Sequence, residues 1–288
     1  MKERPDWKIQ TKRKGIDLSC NVHYDKILNE EVKNLSLNNI MDYPDQYKIY
    51  KCLSDYYKIP LDNLTIGYGS GELIHRIIKK FVTHLYIVEP AFSMVSVYCD
   101  MLNISYTQIT IDMIWDLPKN SEVYVSNPNG NNGEVYDLSN LNFSILIIDE
   151  AYAEFYPKYS MLQEDKPGLF VVKTLSKNLG LAGLRVGYCK ATKSDTYELQ
   201  KVRDHSITSS IAVEIVPQVI HMMNDVVYRM QDAKHFLENK YDCIPSHGNY
   251  VLFKSSNILT DIYGYKLIND QYYRMALINK EIILCHLN

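Results

Sequence analysis

The sequence predicts an α/β protein: a mostly parallel sheet packed between helices, followed by a smaller α/β domain. Three observations carry that expectation. Ser144-Ile145-Leu146-Ile147-Ile148 is almost continuously apolar and ends at Asp149, as a parallel strand covered on both faces requires. A second apolar run, Gly168-Leu169-Phe170-Val171-Val172, stops at the polar turn Lys173-Thr174-Leu175-Ser176-Lys177. Between Gln46 and Val125, short apolar runs alternate with stretches of helical spacing, which is the βαβ pattern.

Residues 1–44 show little periodicity and read as an irregular arm that ends in Met41-Asp42-Tyr43-Pro44-Asp45. Tyr43-Pro44 is an extended dipeptide ahead of a helix. Tyr47, Tyr50, Leu53 and Tyr57 then fall on one helical face. Leu64-Thr65-Ile66 forms a strand leading into Gly67-Tyr68-Gly69-Ser70-Gly71-Glu72, and Leu73, Ile74, Ile77, Ile78 and Phe81 continue at helical spacing. A glycine turn that opens a helix aims free N–H groups at whatever lies in front, so an anion is expected there. A dinucleotide turn has the same look, with Glu89 where a ribose-binding acid would sit. Here, however, Glu72 stands where the third glycine of that motif belongs. A helix from Met94 to Met101 and strands at Ile104–Ile109 and Glu122–Val125 follow. Val186-Gly187-Tyr188 is a further strand, and residues 194–240 are helical with a break at Pro217. His247 to Phe253 reads as a strand of the second domain. The expected division is an arm at 1–44, a large domain at 45–192 and a small domain with its connecting helix at 193–288.

Composition narrows the function. The chain has 288 residues, enough for a full core, and 31 basic against 34 acidic residues give a net charge of −3. That balance offers nothing to attract nucleic acid or an anionic membrane. The six cysteines are scattered without a Cys-x-x-Cys pair or a histidine cluster, so neither a disulfide framework nor a metal site is expected, and a reducing cytoplasm fits. Met1 to Asp6 lacks the apolar core of a signal peptide.

Around Lys177 the residue types converge on chemistry. Lys177 and Arg185 flank a small glycine-containing segment beside the hydroxyls of Thr174 and Ser176. Together they could form an anion pocket holding one nucleophilic amine. A solvated loop lysine is the plain alternative, as a helix cap is for Asp149.

Asp149-Glu150-Ala151-Tyr152, then Thr174-Leu175-Ser176-Lys177, then Leu181-Ala182-Gly183-Leu184-Arg185-Val186-Gly187-Tyr188 resembles, in order, the motifs of the fold-type I pyridoxal-phosphate (PLP) enzymes. Within them the chain resembles the class I/II aminotransferases, nearest the histidinol-phosphate aminotransferase branch, from about Leu18 to Leu277. The resemblance implies a large domain with a seven-stranded sheet and a homodimer. It implies that Lys177 carries the cofactor as a Schiff base and moves a proton, that Asp149 pairs with the pyridine nitrogen, and that Tyr152 donates to the ring's 3-oxygen. By the same resemblance Ser70, Gly71, Thr174, Ser176 and Arg185 bind the phosphate, joined by Tyr43 from the other subunit. Phe92 stands where a stacking tyrosine is usual, Asn249 faces the substrate, and Arg274 in Tyr273-Arg274-Met275-Ala276-Leu277 clamps its acidic group.

The departures are specific. Ser126-Asn127-Pro128-Asn129-Gly130-Asn131-Asn132-Gly133 replaces Asn-Pro-Asn-Asn-Pro-Thr-Gly, so the asparagine that serves the 3-oxygen falls on Gly130, leaving Asn129 or Asn131 as substitutes. The family's helix after this loop shrinks to Glu134–Leu141, and its Asn-x-Asn-Pro in the arm becomes Asn21-Val22-His23-Tyr24, without the proline. A second arginine of the histidinol-phosphate branch is missing, with Tyr265-Lys266 nearby instead. The expected activity is amino transfer between a small phosphorylated or acidic amino compound and a 2-oxo acid. The alternatives are decarboxylation of a phosphorylated amino acid, or a PLP-binding protein of low turnover.

Overall fold

A computed structural model describes residues 18, 21–37, 41–254, 266–268 and 272–287; Tyr265 lies outside them. Its seven-stranded sheet runs in the order β1-β7-β6-β5-β4-β2-β3. The strands are β1 Leu64–Tyr68, β2 His84–Val88, β3 Ser105–Ile109, β4 Glu122–Ser126, β5 Ile145–Asp149, β6 Leu169–Thr174 and β7 Val186–Lys190. Only β7 runs against the rest, pairing antiparallel with β1 and β6. This is the mostly parallel sheet expected from the apolar runs.

Alternation along the strands builds two cores, one on each face. Leu146, Ile148, Leu169 and Val171 join one cluster with Val213, Val216, Met223 and Val226. Ile147, Phe170 and Val172 join the other, against Leu73, Ile74, Ile77, Val95 and Cys99. Each such buried aliphatic side chain contributes about 1.5–3 kcal/mol. The second face is covered by α3 Ser70–Phe81 and α4 Met94–Leu102. The first is covered by α7 Ser210–Val219 and α8 Met223–Lys240, with α1 Lys26–Lys33 and α2 Tyr47–Tyr57 packed on α7.

The helical material after Tyr188 divides into α6 Lys193–Gln200, α7 and α8. Pro217 lies within α7, two residues before its end, and a 3₁₀ turn at Ile220–Met222 leads into α8. Between β4 and β5 the chain forms no helix; Leu138 and Leu141 are buried and fill that gap themselves. A four-stranded antiparallel sheet, β10-β11-β9-β8, stands apart in the C-terminal part, with β8 Cys243–Ile244, β9 Tyr250–Phe253, β10 Lys266–Ile268 and β11 Tyr272–Ala276. The arm is tied to it: Ala276 N–H donates to the Leu18 carbonyl at 3.0 Å and Tyr24 N–H to Leu277 at 3.1 Å. Asn21 is thereby carried back to the carboxyl ends of the large sheet's strands.

Candidate active site

Asp149 is the last residue of β5 and sits opposite Val172 of β6 and Ser126 of β4. It follows the face of Ile147, so its carboxyl emerges beside Tyr124, whose hydroxyl donates to Oδ2 at 2.9 Å. The Ala151 N–H donates to Oδ1 at 3.1 Å. Burial pushes this carboxyl up to about 6, against the pull of those two donors and of the Lys177 charge. A buried carboxyl that still has a cation in its field is poised to meet a protonated ring nitrogen.

β6 ends at Thr174, whose Oγ1 accepts from the Ser176 N–H at 3.1 Å and so starts the single helical turn α5, Leu175–Asn178. That turn presents Lys177, whose Nζ donates to the Asn21 carbonyl at 3.0 Å and lies 6.0 Å from the Tyr152 ring centre. Arg185 precedes β7 with a left-handed φ of 55°. Its guanidinium rests against Gly69, the N-cap of α3, so closely that a Cβ at Gly69 would overlap it. A cation is therefore seated where the free N–H groups of Ser70 and Gly71 open α3, with the Thr174 and Ser176 side chains on the neighbouring strand end. Phe92 borders the same corner, 3.7 Å from where a Gly71 Cβ would stand.

On the other side Tyr152 is the hub. Its ring meets Tyr250 edge-on at 5.7 Å, and the Arg274 guanidinium lies 5.6 Å from the Tyr250 ring centre. Arg274 Nη1 donates to the Gly130 carbonyl at 2.6 Å, and its Nε is buried without an acceptor among the described residues. Asn249 donates to the Asn21 carbonyl at 3.0 Å and to that of Lys177 at 3.3 Å. His23, buried beside it, is held neutral by burial, its pKa lowered to about 4.

These residues fit PLP. Arg185 and the opened amides of α3 suit a phosphate, with the flat Phe92 ring beside them, Asp149 is a buried carboxyl suited to a pyridinium, and Lys177 brings an amine whose charge reaches that carboxyl. Residues 23–254 match the family model for aminotransferase class I and II. The chain belongs to that family. The histidinol-phosphate aminotransferase of Caldanaerobacter subterraneus subsp. tengcongensis is 30% identical over 263 residues, 81% of this chain and 74% of its own. That of Buchnera aphidicola subsp. Melaphis rhois is 29% identical, covering 86% and 81%. Among solved structures, the histidinol-phosphate aminotransferase of Sinorhizobium meliloti, in complex with pyridoxal-5'-phosphate, superposes with a TM-score of 0.75 at 17% identity, covering 95% of this chain and 88% of that one. As a class I/II aminotransferase the protein is a PLP-dependent enzyme, of the histidinol-phosphate-aminotransferase-like branch.

Within this aminotransferase the structure links Tyr152, Lys177, Asn249 and Arg274 through Asn21, Gly130 and Tyr250, brings the Lys177 charge to bear on Asp149, and sets Arg185 and Phe92 against the turn of Ser70 and Gly71, with Thr174 and Ser176 hydrogen-bonded to each other where β6 ends. Tyr43 is not packed into it: the ring is 90% exposed. Asn129 is drawn into its own loop. One N–H of its Nδ2 donates to the Pro90 carbonyl at 2.6 Å and its Oδ1 accepts from the Asn131 N–H at 2.9 Å, so the side chain builds the loop. Asn131 Nδ2 is committed likewise, to the Ala91 carbonyl at 3.0 Å. Two residues escaped the sequence reading. Tyr124 was signalled only by a hydroxyl inside an apolar strand, two residues before Ser126. Asn21 was visible as the asparagine of the altered arm stretch, and only the fold brings it to Lys177.

Proposed function

We propose that the enzyme transfers an amino group between a small acidic or phosphorylated amino compound and a 2-oxo acid, with histidinol phosphate as the leading donor. The carrying observation is Arg274, a buried guanidinium whose Nε has no acceptor among the described residues and which lies over the Tyr250 ring that packs on Tyr152. An anionic substrate group supplies the acceptor it lacks, and the planar fork fixes that group's orientation. The relatives' names support the donor. The decarboxylase alternative is set aside, since those relatives transfer amino groups.

When bound, PLP supplies a ring that takes up the electron pair left on breaking a bond to the substrate Cα. The protein's own residues do the rest. Lys177 would be the covalent attachment point and, once released, its amine would carry the proton taken from the substrate Cα. Asp149 keeps the proton on the pyridine nitrogen. Tyr152 would donate to the 3-oxygen, Phe92 would stack on the ring, and Asn249 and Arg274 would hold the substrate. Ser70, Gly71, Thr174, Ser176 and Arg185 hold the phosphate. Absorption spectra of the purified protein with glutamate, histidinol phosphate and phosphoserine test this. A donor-dependent shift of the cofactor band that a 2-oxo acid reverses is the expected result, and carbon dioxide release without reversal would overturn it.

Arg274→Lys keeps the charge and loses the fork. It is expected to raise the KM for the acidic donor by about tenfold or more with cofactor content unchanged; an unaltered KM places the clamp elsewhere. The protein is also taken to be a cytoplasmic homodimer in which Tyr43 reaches the partner's cofactor phosphate, in keeping with the exposure of Met41 (97%) and Tyr43 (90%) at the end of the arm. Sedimentation should give twice the 33.5 kDa chain mass, and Tyr43→Phe should weaken PLP binding about tenfold. A monomer with full cofactor affinity contradicts it.

A further inference from the structure

Gly130 leaves the 3-oxygen of the cofactor one donor short, and it cannot simply be restored. A Cβ at position 130 would stand 2.7 Å from Tyr152 Cε2, so no side chain fits there while Tyr152 keeps its place. Both nearby asparagines of the loop turn an N–H of their amides to a backbone carbonyl, Asn129 to Pro90 and Asn131 to Ala91. The space in front of Gly130 is filled instead from the arm. Asn21 is 2% exposed; one N–H of its Nδ2 donates to Tyr152 Oη at 3.0 Å, and the other makes only a long contact, 3.4 Å, to the Gly130 carbonyl, which Arg274 Nη1 already serves at 2.6 Å, so this second N–H is the one that can turn to the ring oxygen. Its own carbonyl accepts from Lys177 Nζ at 3.0 Å and from Asn249 Nδ2 at 3.0 Å. Asn21 thus touches both the amine that bears the cofactor and the hydroxyl that meets the cofactor's 3-oxygen.

We infer that Asn21 supplies the amide donor to the 3-oxygen that position 130 cannot, making the N-terminal arm part of the cofactor site. The inference rests on Lys177 as the cofactor-bearing residue and adds a positioning residue to it. Two features support a built role. Asn21 holds a left-handed φ of 51°, a conformation that asparagine adopts more readily than most residues. Its side chain is 2% exposed and, among the described residues, is held by nothing beyond Tyr152 Oη and the long contact to the Gly130 carbonyl, so no other bond fixes its amide. The arm is anchored for the task on both sides of Asn21, through Leu18 and Tyr24 to the end of β11.

The consequence is electronic. An amide donating to the ring oxygen withdraws charge from it, and this lowers the proton affinity of the nearby nitrogen that links Lys177 to the cofactor. Asn21→Gly removes the amide and accepts the positive φ; Asn21→Asp keeps the shape and the φ but cannot donate. In the substrate-free holoenzyme, spectrophotometric titration of that linkage should move upward by about one pH unit in Asn21→Gly and at least as far in Asn21→Asp. Circular dichroism checks that both variants fold, and Asn21→Gln, with a longer amide, should recover part of the shift. If both Asn21→Gly and Asn21→Asp fold, carry cofactor and titrate as the parent does, Asn21 is structural only. If the parent itself shows no visible linkage band with added PLP, the failure lies with the Lys177 assignment instead.

Discussion

Replacing Lys177 with Ala is expected to leave a folded protein that binds PLP without covalent attachment and turns over about 10⁴-fold more slowly, or worse. The fold should tolerate the change. Lys177 is half-buried on a four-residue turn, and that turn is held by Thr174 Oγ1, by burial of Leu175 and Ser176, and by Asn178, none of which needs the amine. The hydrogen bond that the amine donates to the Asn21 carbonyl is worth about 1 kcal/mol or less when the carbonyl can find water. Chemistry should suffer far more, since the same nitrogen both anchors the cofactor and carries the proton. Reverse-phase mass analysis after borohydride reduction distinguishes the outcomes: the parent gains the cofactor mass and the variant does not. A variant that is still labelled would remove the central assignment.

The large sheet could be read from the chain because its strands are buried on both faces, so they appear as unbroken apolar runs, and β5 and β6 begin and end within two residues of expectation. Asp149 and Arg185 were legible for the same reason, since one stops such a run and the other precedes one, while Lys177 stood out in the polar turn that follows β6. The loop after β4 was not. Its asparagines have the composition of a binding turn, yet their amides close on the carbonyls of Pro90 and Ala91, a pairing some 40 residues away that no local pattern signals. Asn21 shows the converse. Its segment has no periodicity, and it enters the site only because the arm pairs with the end of β11, more than 250 residues later.

Asp149→Asn should separate catalysis from stability, and in opposite directions. The Asp149 carboxyl is raised from 3.8 to about 6, so the folded protein binds this proton more tightly than the unfolded chain does. Below about pH 4 both states are protonated and the site is neutral in both. From there to about pH 6 the unfolded chain ionises first, and stability falls as pH rises; above that the ligand-free protein carries the full penalty, about 3 kcal/mol. Asparagine never ionises. Its Oδ1 can keep the Ala151 N–H, and its Nδ2 can donate to Tyr124 Oη, which turns its proton to Ser126 Oγ at 3.0 Å. The ligand-free variant is therefore expected to melt above the parent at pH 7.5, with the gap closing as pH falls toward 4. Turnover should nevertheless drop by about 10²–10³-fold, because a neutral amide cannot hold the pyridine proton, and added PLP should raise the melting temperature of the variant less than that of the parent. A variant less stable than the parent at every pH, with turnover intact, would mean that Asp149 caps the strand end and takes no part in the chemistry.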